Sequence, residues 1–448
     1  MNKKIMTVIF FIFIFFIIFN REKIRIFILN NLIVLRGILT PNCNWYKVSD
    51  LLLTDGTGVK IYNKYKQKYG DFFPTKMFGI KLYVVTNNKY IETILYNSPN
   101  LFSVGKLKKH FFKSFMNKNV GVSSGCPWKR RRRINDYALN VDKLHKYSNK
   151  YHNDVKEQIK KWKNKYEFNY TDFSDFGKIM VAKIVFNTNH IDDDFFKIFS
   201  EANSIDIFER SKFKIDKKIH NNYVQILNKH INKPNKNSLV ELCLKISNNK
   251  EEVFHQLPHF IFPMVGLFAI SIPRLLLLLC NHKNIFKKVI QEINSTNEDD
   301  KINDKIYKLK FLRKCILETL RLNNPVITTF RTLNEDYTFD NKHSFKKGTQ
   351  FVILNNPVLR ENEYFKQPNK FNPYRWTSEM EKSTYAISFN QGPQKCPGKE
   401  LSIYLIQNFV YNFIKIKNID IKCIESNKID TNNIPQIINP CTIKFTIK

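Results

Sequence analysis

The sequence predicts a mainly α-helical protein with a small β part, one catalytic domain behind an N-terminal membrane anchor. Three observations lead there. Apolar residues recur at helical spacing through most of the chain, as with Phe173, Phe176, Ile179, Met180, Ile184 and Val185. Strand-like runs are short and confined to Phe72–Thr86, Thr328–Val352 and the tail after Asn418. No internal repeat or Gly/Ser linker divides the body, although 448 residues have length for two or three domains.

The anchor is read from residues 1–36. Ile5 to Phe19 is apolar except for Thr7, preceded by Lys3 and Lys4 and followed by Arg21, Lys23 and Arg25, with no small-residue cleavage site after it. The flanking charges place the body, residues 37–448, on the cytosolic side of a single-pass anchor. Pro41 ends the pattern, and a helix from Val59 to Tyr69 follows, stopped by Gly70. Strands at Phe72–Phe78 and Lys81–Thr86 turn at Gly79, and Tyr90–Tyr96 is a short helix. Leu101–Gly125 reads as irregular and aromatic-rich, with Phe111, Phe112, Phe115 and Met116 available to line a pocket. One long helix is expected from Trp128 past Lys160, and a mobile cover of short helices over the Asn- and Lys-rich residues 187–250. Phe254–Ile293 is the most apolar internal stretch. The spacing of Pro258, Pro263 and Pro273 favours a buried, proline-kinked central helix over a second membrane span. Asp304–Leu322 is helical, and Lys347-Gly348 marks a turn between the late strands.

Composition bounds the chemistry more loosely. With 73 Lys and Arg against 39 Asp and Glu, the net charge of +34 favours acidic partners, nucleic acid or anionic lipid. The excess is spread along a chain rich in Lys, Asn, Ile and Phe, so it reads equally as compositional bias. The eight cysteines contain no C-x-x-C pair, which argues against a zinc cluster and a disulfide scaffold. His255 and His259 have metal-pair spacing, but no Glu follows His255 and Pro258 intervenes.

Chemistry concentrates in Phe389-Asn390-Gln391-Gly392-Pro393-Gln394-Lys395-Cys396-Pro397-Gly398, which sets one cysteine on a glycine-bounded loop before a helical pattern starting near Lys399. A thiolate at a helix start meets partial positive charge from backbone N–H groups. Gly392 permits the turn, Gly398 allows close approach to a flat ligand, and Pro397 has no N–H, so backbone donors to sulfur must come from later residues. Upstream, Glu318 and Arg321 share a helix face, and Arg375 lies on a proline-constrained loop, Phe371-Asn372-Pro373-Tyr374-Arg375-Trp376.

Together these motifs resemble the cytochrome P450 family of haem-thiolate oxygenases. The resemblance rests on Glu318-Thr319-Leu320-Arg321, on Arg375-Trp376, on Phe389-x-x-Gly392-x-x-x-Cys396-x-Gly398 and on Trp128-x-x-x-Arg132, and covers nearly all of the body. It implies a P450-like fold and haem with Cys396 as its axial thiolate and metal ligand. It further implies Phe389, Gly392 and Gly398 around the thiolate, and Trp128, Arg132 and Arg331 at the haem propionates. Glu318, Arg321 and Arg375 would form a structural network behind the cysteine loop. The basic run Lys129–Arg133 then belongs to the haem site, and no nucleic-acid partner is expected.

Two departures stand out. Gln394 occupies the position where the family usually has an arginine, and Asn390 that of a glycine. The central helix also lacks the usual acid and threonine that deliver protons to iron-bound dioxygen. Val253 to Gln291 contains no Asp, Glu or Thr, and the matching stretch, Pro263–Ala269, is apolar, with Ser271 the nearest hydroxyl. The expected activity is oxidation of a hydrophobic small molecule, lipid or sterol-like, with electrons from a separate reductase, since no flavin or nicotinamide motif is present. The apolar pocket is expected from Leu101–Met116, Met264–Ala269 and Val326–Phe330. The missing pair leaves open a haem-thiolate isomerase, dehydratase or peroxide-driven hydroxylase, and a non-catalytic haem-binding membrane protein.

Overall fold

A computed structural model describes residues 57–448, apart from 78–79, 113–115, 117, 140, 204–216, 298–299, 421–423 and 430–436. The proposed anchor and juxtamembrane segment lie outside the described residues. Helix α1 (Val59–Tyr69) leads into β1 (Phe72–Met77) and β2 (Ile80–Val85), then α2 (Asn88–Tyr96), β3 (Phe102–Val104) and α3 (Lys106–Phe112). The stretch expected to be irregular therefore holds a strand, a helix and a 3-10 turn at Val120–Val122. Gly105 supplies the join. A Cβ there would lie 2.6 Å from Phe330 Cβ, so only glycine lets α3 start so close to the sheet. Phe112 and Met116 pack into the main core, while Phe111 and Phe115 are not described.

Helices α4 (Gly125–Leu139) and α5 (Val141–Lys160) cover the stretch expected to be one long helix, on either side of residue 140, which lies outside the described residues. After the two-residue strand β4 (Glu167–Phe168), α6 (Tyr170–Val181) starts on a capping box between Asn169 and Asp172 and passes into a π turn at Ala182–Phe186. The described residues between 187 and 250 form the short helices expected there, with a buried stripe that their polarity hides. Helices α7 (Asp193–Asn203), α8 (Lys217–Asn232) and α9 (Leu239–Ile246) bury Phe195, Tyr223, Leu227, Ile231 and Leu239. Lys and Asn fill the outer faces and mask this inner stripe in the composition.

The central helix runs as α10 (Lys250–Gly266), a π segment at Leu267–Ser271, and α11 (Ile272–Asn281). It is long and apolar enough to cross a membrane, but 72% of its most apolar window is buried inside the protein, which marks a core helix. Pro273 donates no N–H, and the Ile272 N–H reaches back five residues to Leu267 O. Helices α12 (Lys283–Asn294), α13 (Ile302–Lys308) and α14 (Lys310–Leu322) follow, then β5 (Thr328–Leu333), β6 (Tyr337–Phe339), β7 (His343–Phe345) and β8 (Gln350–Leu354). Two short helices, α15 (Asn355–Val358) and α16 (Ser378–Lys382), precede the long α17 (Lys399–Lys417), and β9 (Ile424–Ser426) and β10 (Phe445–Ile447) close the chain.

The main sheet has the order β1-β2-β8-β5-β3, antiparallel except for the parallel β2–β8 pair. Arg331 on β5 faces Val104 on one neighbour and Phe351 on the other. A three-stranded sheet β4-β10-β9 and the β6–β7 hairpin complete the β part. The largest core cluster joins α5, α6, α10, α11, α14 and α17.

Candidate active site

The cysteine loop is built by backbone constraints that pin it against α2. Gly392 has φ +70°, and a Cβ there would lie 2.4 Å from Leu95 O, so the loop passes where only glycine fits. Asn390 has φ 60° and ψ 175°, a region almost restricted to glycine, and its Oδ1 accepts from the next N–H at 3.0 Å. The Cys396 N–H donates to Phe389 O at 2.8 Å and the Lys395 N–H to Gly392 O at 3.0 Å, closing the turn. Gly398 caps α17, and its N–H serves Cys396, as the missing donor at Pro397 requires.

Cys396 is surrounded by protein, yet its side chain keeps an accessible face. Burial pushes its pKa up, against the opposing pull of the Gly398 N–H and the Arg132 and Lys399 cations. A thiolate there needs further positive charge, such as a metal, to persist. Lys399 Nζ sits 6.0 Å from the centre of the partly buried Phe389 ring.

Behind the loop, the Glu318 carboxylate is fully buried and fully bonded. Arg321 grips both its oxygens at 2.8 and 2.9 Å, Arg375 Nε donates at 3.1 Å, Trp376 Nε1 at 2.9 Å and the Asn372 N–H at 3.0 Å. Burial opposes ionisation of Glu318, but the Arg321 and Arg375 cations and these donors outweigh it and hold the carboxyl below its ordinary range. Arg321 also donates to Leu359 O and stacks on Phe365. Sequence spacing indicated the three charges but not Trp376, Asn372 or Phe365. It also missed a second clasp. Arg313 on α14 bridges Glu381 and Glu400, and Lys399 reaches Glu381 at 2.8 Å, which ties the chain before the loop to the helix after it.

Of the residues expected at propionates, Arg132 comes closest to the loop: its Nη1 donates to Lys395 O at 2.6 Å while its Nε holds Asp136. Trp128 lies one turn earlier, and both line an open groove with Asp136 and Tyr137. Within the rest of the basic run, Arg130 and Arg131 both hold Glu252 on the central helix, at 2.7 and 2.8 Å. Arg331 is buried and bonds only neutral groups, Ser98 Oγ and Phe330 O, both at 2.9 Å. Burial lowers its pKa to about 10. Lys108 on α3 lies close enough to Arg331 to feel its charge. Lys108 is half-buried, and burial with the Arg331 charge lowers its pKa to about 8. Neither cation has a carboxylate partner among the described residues. His255 and His259 diverge, the first toward Glu251 and the second toward Asn135.

On the other side, the stretch matched to the oxygen-activating motif coincides with the π segment. Phe268 is fully buried, its ring 5.2 Å from that of Phe176, and Ala269 and Ser271 are buried too. No acid lies in this segment.

The cytochrome P450 family model matches residues 40–440. The chain belongs to the cytochrome P450 family. A cytochrome P450-like protein of Acanthamoeba polyphaga mimivirus is 37% identical over 129 residues, covering 28% of this chain and 27% of that protein. Beta-amyrin 6-beta-monooxygenase of Solanum lycopersicum is 25% identical over 243 residues, 51% of each chain. Human (Homo sapiens) aromatase is 29% identical over 163 residues, 35% of this chain and 32% of that one. These matched stretches cover about a quarter to a half of the curated relatives. Among solved structures, retinoic acid-bound cyanobacterial CYP120A1 superposes with a TM-score of 0.71 at 18% identity, covering 89% of this chain and 96% of that one, which shows the P450 fold.

P450 family and fold imply a haem-thiolate cofactor, and the residues present fit one. An accessible thiol on a backbone-fixed loop suits an iron ligand, and the buried Arg331, bonded only to neutral groups, suits an anionic macrocycle. Gly398 adds to the fit, since the nearest atom to a Cβ there would be Leu139 Cδ1 at 3.7 Å, so the protein itself does not demand glycine.

Proposed function

We propose that this P450 is a monooxygenase that oxidises a hydrophobic small molecule of lipid or sterol-like character. The observation that carries the reading is the Cys396 thiol, fixed by backbone bonds and flanked by Arg132 and Lys399. Cys396 is the axial ligand, and Arg132, Trp128 and Arg331 hold the propionate edge. Haem bound there supplies the redox chemistry. The protein orients it through the backbone bonds of the cysteine loop, while the iron would supply the charge that holds the thiolate against the burial that raises its pKa. Glu318, Arg321 and Arg375 position the loop without touching the reacting atoms. The relatives named for beta-amyrin oxidation, together with apolar Met264 and Val265 on the central helix, support a hydrophobic substrate. Electrons come from a separate reductase drawn to the basic surface, and residues 1–36 anchor the domain to a membrane with its body in the cytosol.

The test is a reduced, carbon monoxide-bound spectrum of the purified chain. The thiolate signature is expected in the wild type and lost in Cys396→Ser, and a signature unchanged by that substitution sinks the reading. A second reading, a peroxide-driven or rearranging haem-thiolate enzyme, is favoured by Phe268 and Ala269 at the acid and threonine positions. Turnover with peroxide but none with dioxygen and a reductase selects it.

A further inference from the structure

Helix α17 opens with a cation directly after the cysteine loop. Lys399 is its first residue, behind the Gly398 cap, at the end where a helix dipole disfavours positive charge. A lysine stem is flexible and its ammonium strongly hydrated, so at such an end it ordinarily points into solvent. Here it is held. Lys399 Nζ lies 2.8 Å from Glu381 Oε1 and 6.0 Å from the centre of the Phe389 ring, and Phe389 O accepts the Cys396 N–H.

The carboxylate that holds Lys399 is itself fixed. Arg313 donates to both Glu381 oxygens, and its Nη1 and Nη2 reach both Glu400 oxygens at 2.8 and 2.9 Å. The Lys399 and Glu381 side chains are 27% and 21% exposed, so solvent and salt screen the pair only in part. Two acids and two cations thus form a set without net charge, and Lys399 is its member beside Phe389. Arg132 repeats the pattern, bonded at once to Lys395 O and to Asp136. Both cations at the loop are tethered by an acid.

We propose that Lys399 tunes the electron donation of the Cys396 thiolate, with Glu381 as the residue that positions it and partly offsets its charge. A fixed cation near the sulfur stabilises charge on the thiolate and weakens its donation to a bound iron, which raises the iron's reduction potential. Removing the neighbouring carboxylate charge uncovers that cation. Substitutions at the two residues therefore act in opposite directions, which a merely structural ion pair does not do. This rests on the haem-thiolate reading and concerns residues outside the motifs that carry it.

The experiment measures the midpoint potential and the ferric cyanide affinity of the purified holoprotein, as wild type, Lys399→Met, Lys399→Arg and Glu381→Gln. Lys399→Met should lower the potential and weaken cyanide binding about three-fold, the effect of one partly screened charge. Lys399→Arg keeps the charge and should stay near the wild type. Glu381→Gln keeps a hydrogen-bond acceptor but removes the offsetting charge, and should raise the potential and tighten cyanide binding. Equal potentials in the wild type and Lys399→Met overturn the proposal. So do shifts of the same sign in Lys399→Met and Glu381→Gln, which would mark a merely structural clasp. If Lys399→Met does not retain haem, Glu381→Gln decides alone, and an unchanged potential there overturns the proposal. A wild type without the thiolate carbon monoxide spectrum overturns the haem reading and this proposal with it, whereas equal potentials in proteins that keep that spectrum overturn only this proposal.

Discussion

The two walls of the site obey opposite rules. The thiolate side is polar and heavily bonded, with Glu318 alone accepting five hydrogen bonds from Arg321, Arg375, Trp376 and Asn372. The central helix is apolar: the matched stretch Pro263–Ala269 carries neither acid nor threonine, and Phe268 packs its ring on Phe176. The contrast separates mounting a cofactor from choosing its reaction. A chain can keep every bond that holds the thiolate while changing the groups that deliver protons.

The strongest way to break the thiolate side is Glu318→Gln, which leaves two buried guanidiniums facing a neutral amide. A loss of about 3–5 kcal/mol is expected by denaturant unfolding, with loss of bound haem. Acid should act on the same group. Because the folded state holds the Glu318 carboxyl below its ordinary value of 4.5, its stabilisation is complete above that pH and is lost as pH falls through the folded pKa. A pH series of unfolding free energies should show this slope, and Glu318→Gln should flatten it.

Gly392→Ala comes next. Its Cβ meets backbone at Leu95 O and its φ is positive, so about 2 kcal/mol or more should be lost, read as conversion of the thiolate spectrum to an inactive form. On the apolar side, Gly177→Ala sharpens the comparison, since its Cβ would lie 3.1 Å from both Phe268 Cβ and Val265 O. About 1–3 kcal/mol of destabilisation should appear in thermal unfolding while the thiolate spectrum of the folded fraction stays intact. The smallest effect has the opposite sign. Asn390→Gly removes a side chain from a glycine-only conformation and should stabilise by about 1 kcal/mol, seen as a higher denaturant midpoint.

Much of the thiolate side was legible before any coordinates because its functional groups are close in sequence. Glu318 and Arg321 are three residues apart on one helix, and Cys396 lies within one ten-residue loop. The core position of the central helix was legible too, since its prolines and flanking charges argued against a membrane span. The burial of Phe195, Tyr223, Leu227, Ile231 and Leu239 in the helices between 193 and 246 was not. Their buried stripes are narrow and diluted by Lys and Asn, so composition hid a real amphipathic pattern.

By itself the sequence determined the helical class, the thiolate loop, the Glu318–Arg321 pair and the apolar stretch Pro263–Ala269, since each is written in local spacing or residue type. Only the tertiary structure decided that Arg313 clasps Glu381 and Glu400, that Gly392 must pass under Leu95, and that Trp376 and the Asn372 N–H complete the Glu318 network. Those facts depend on residues tens to hundreds of positions apart meeting in a packed interior. Charge pairing and steric clearance are properties of that meeting, and no local pattern encodes them.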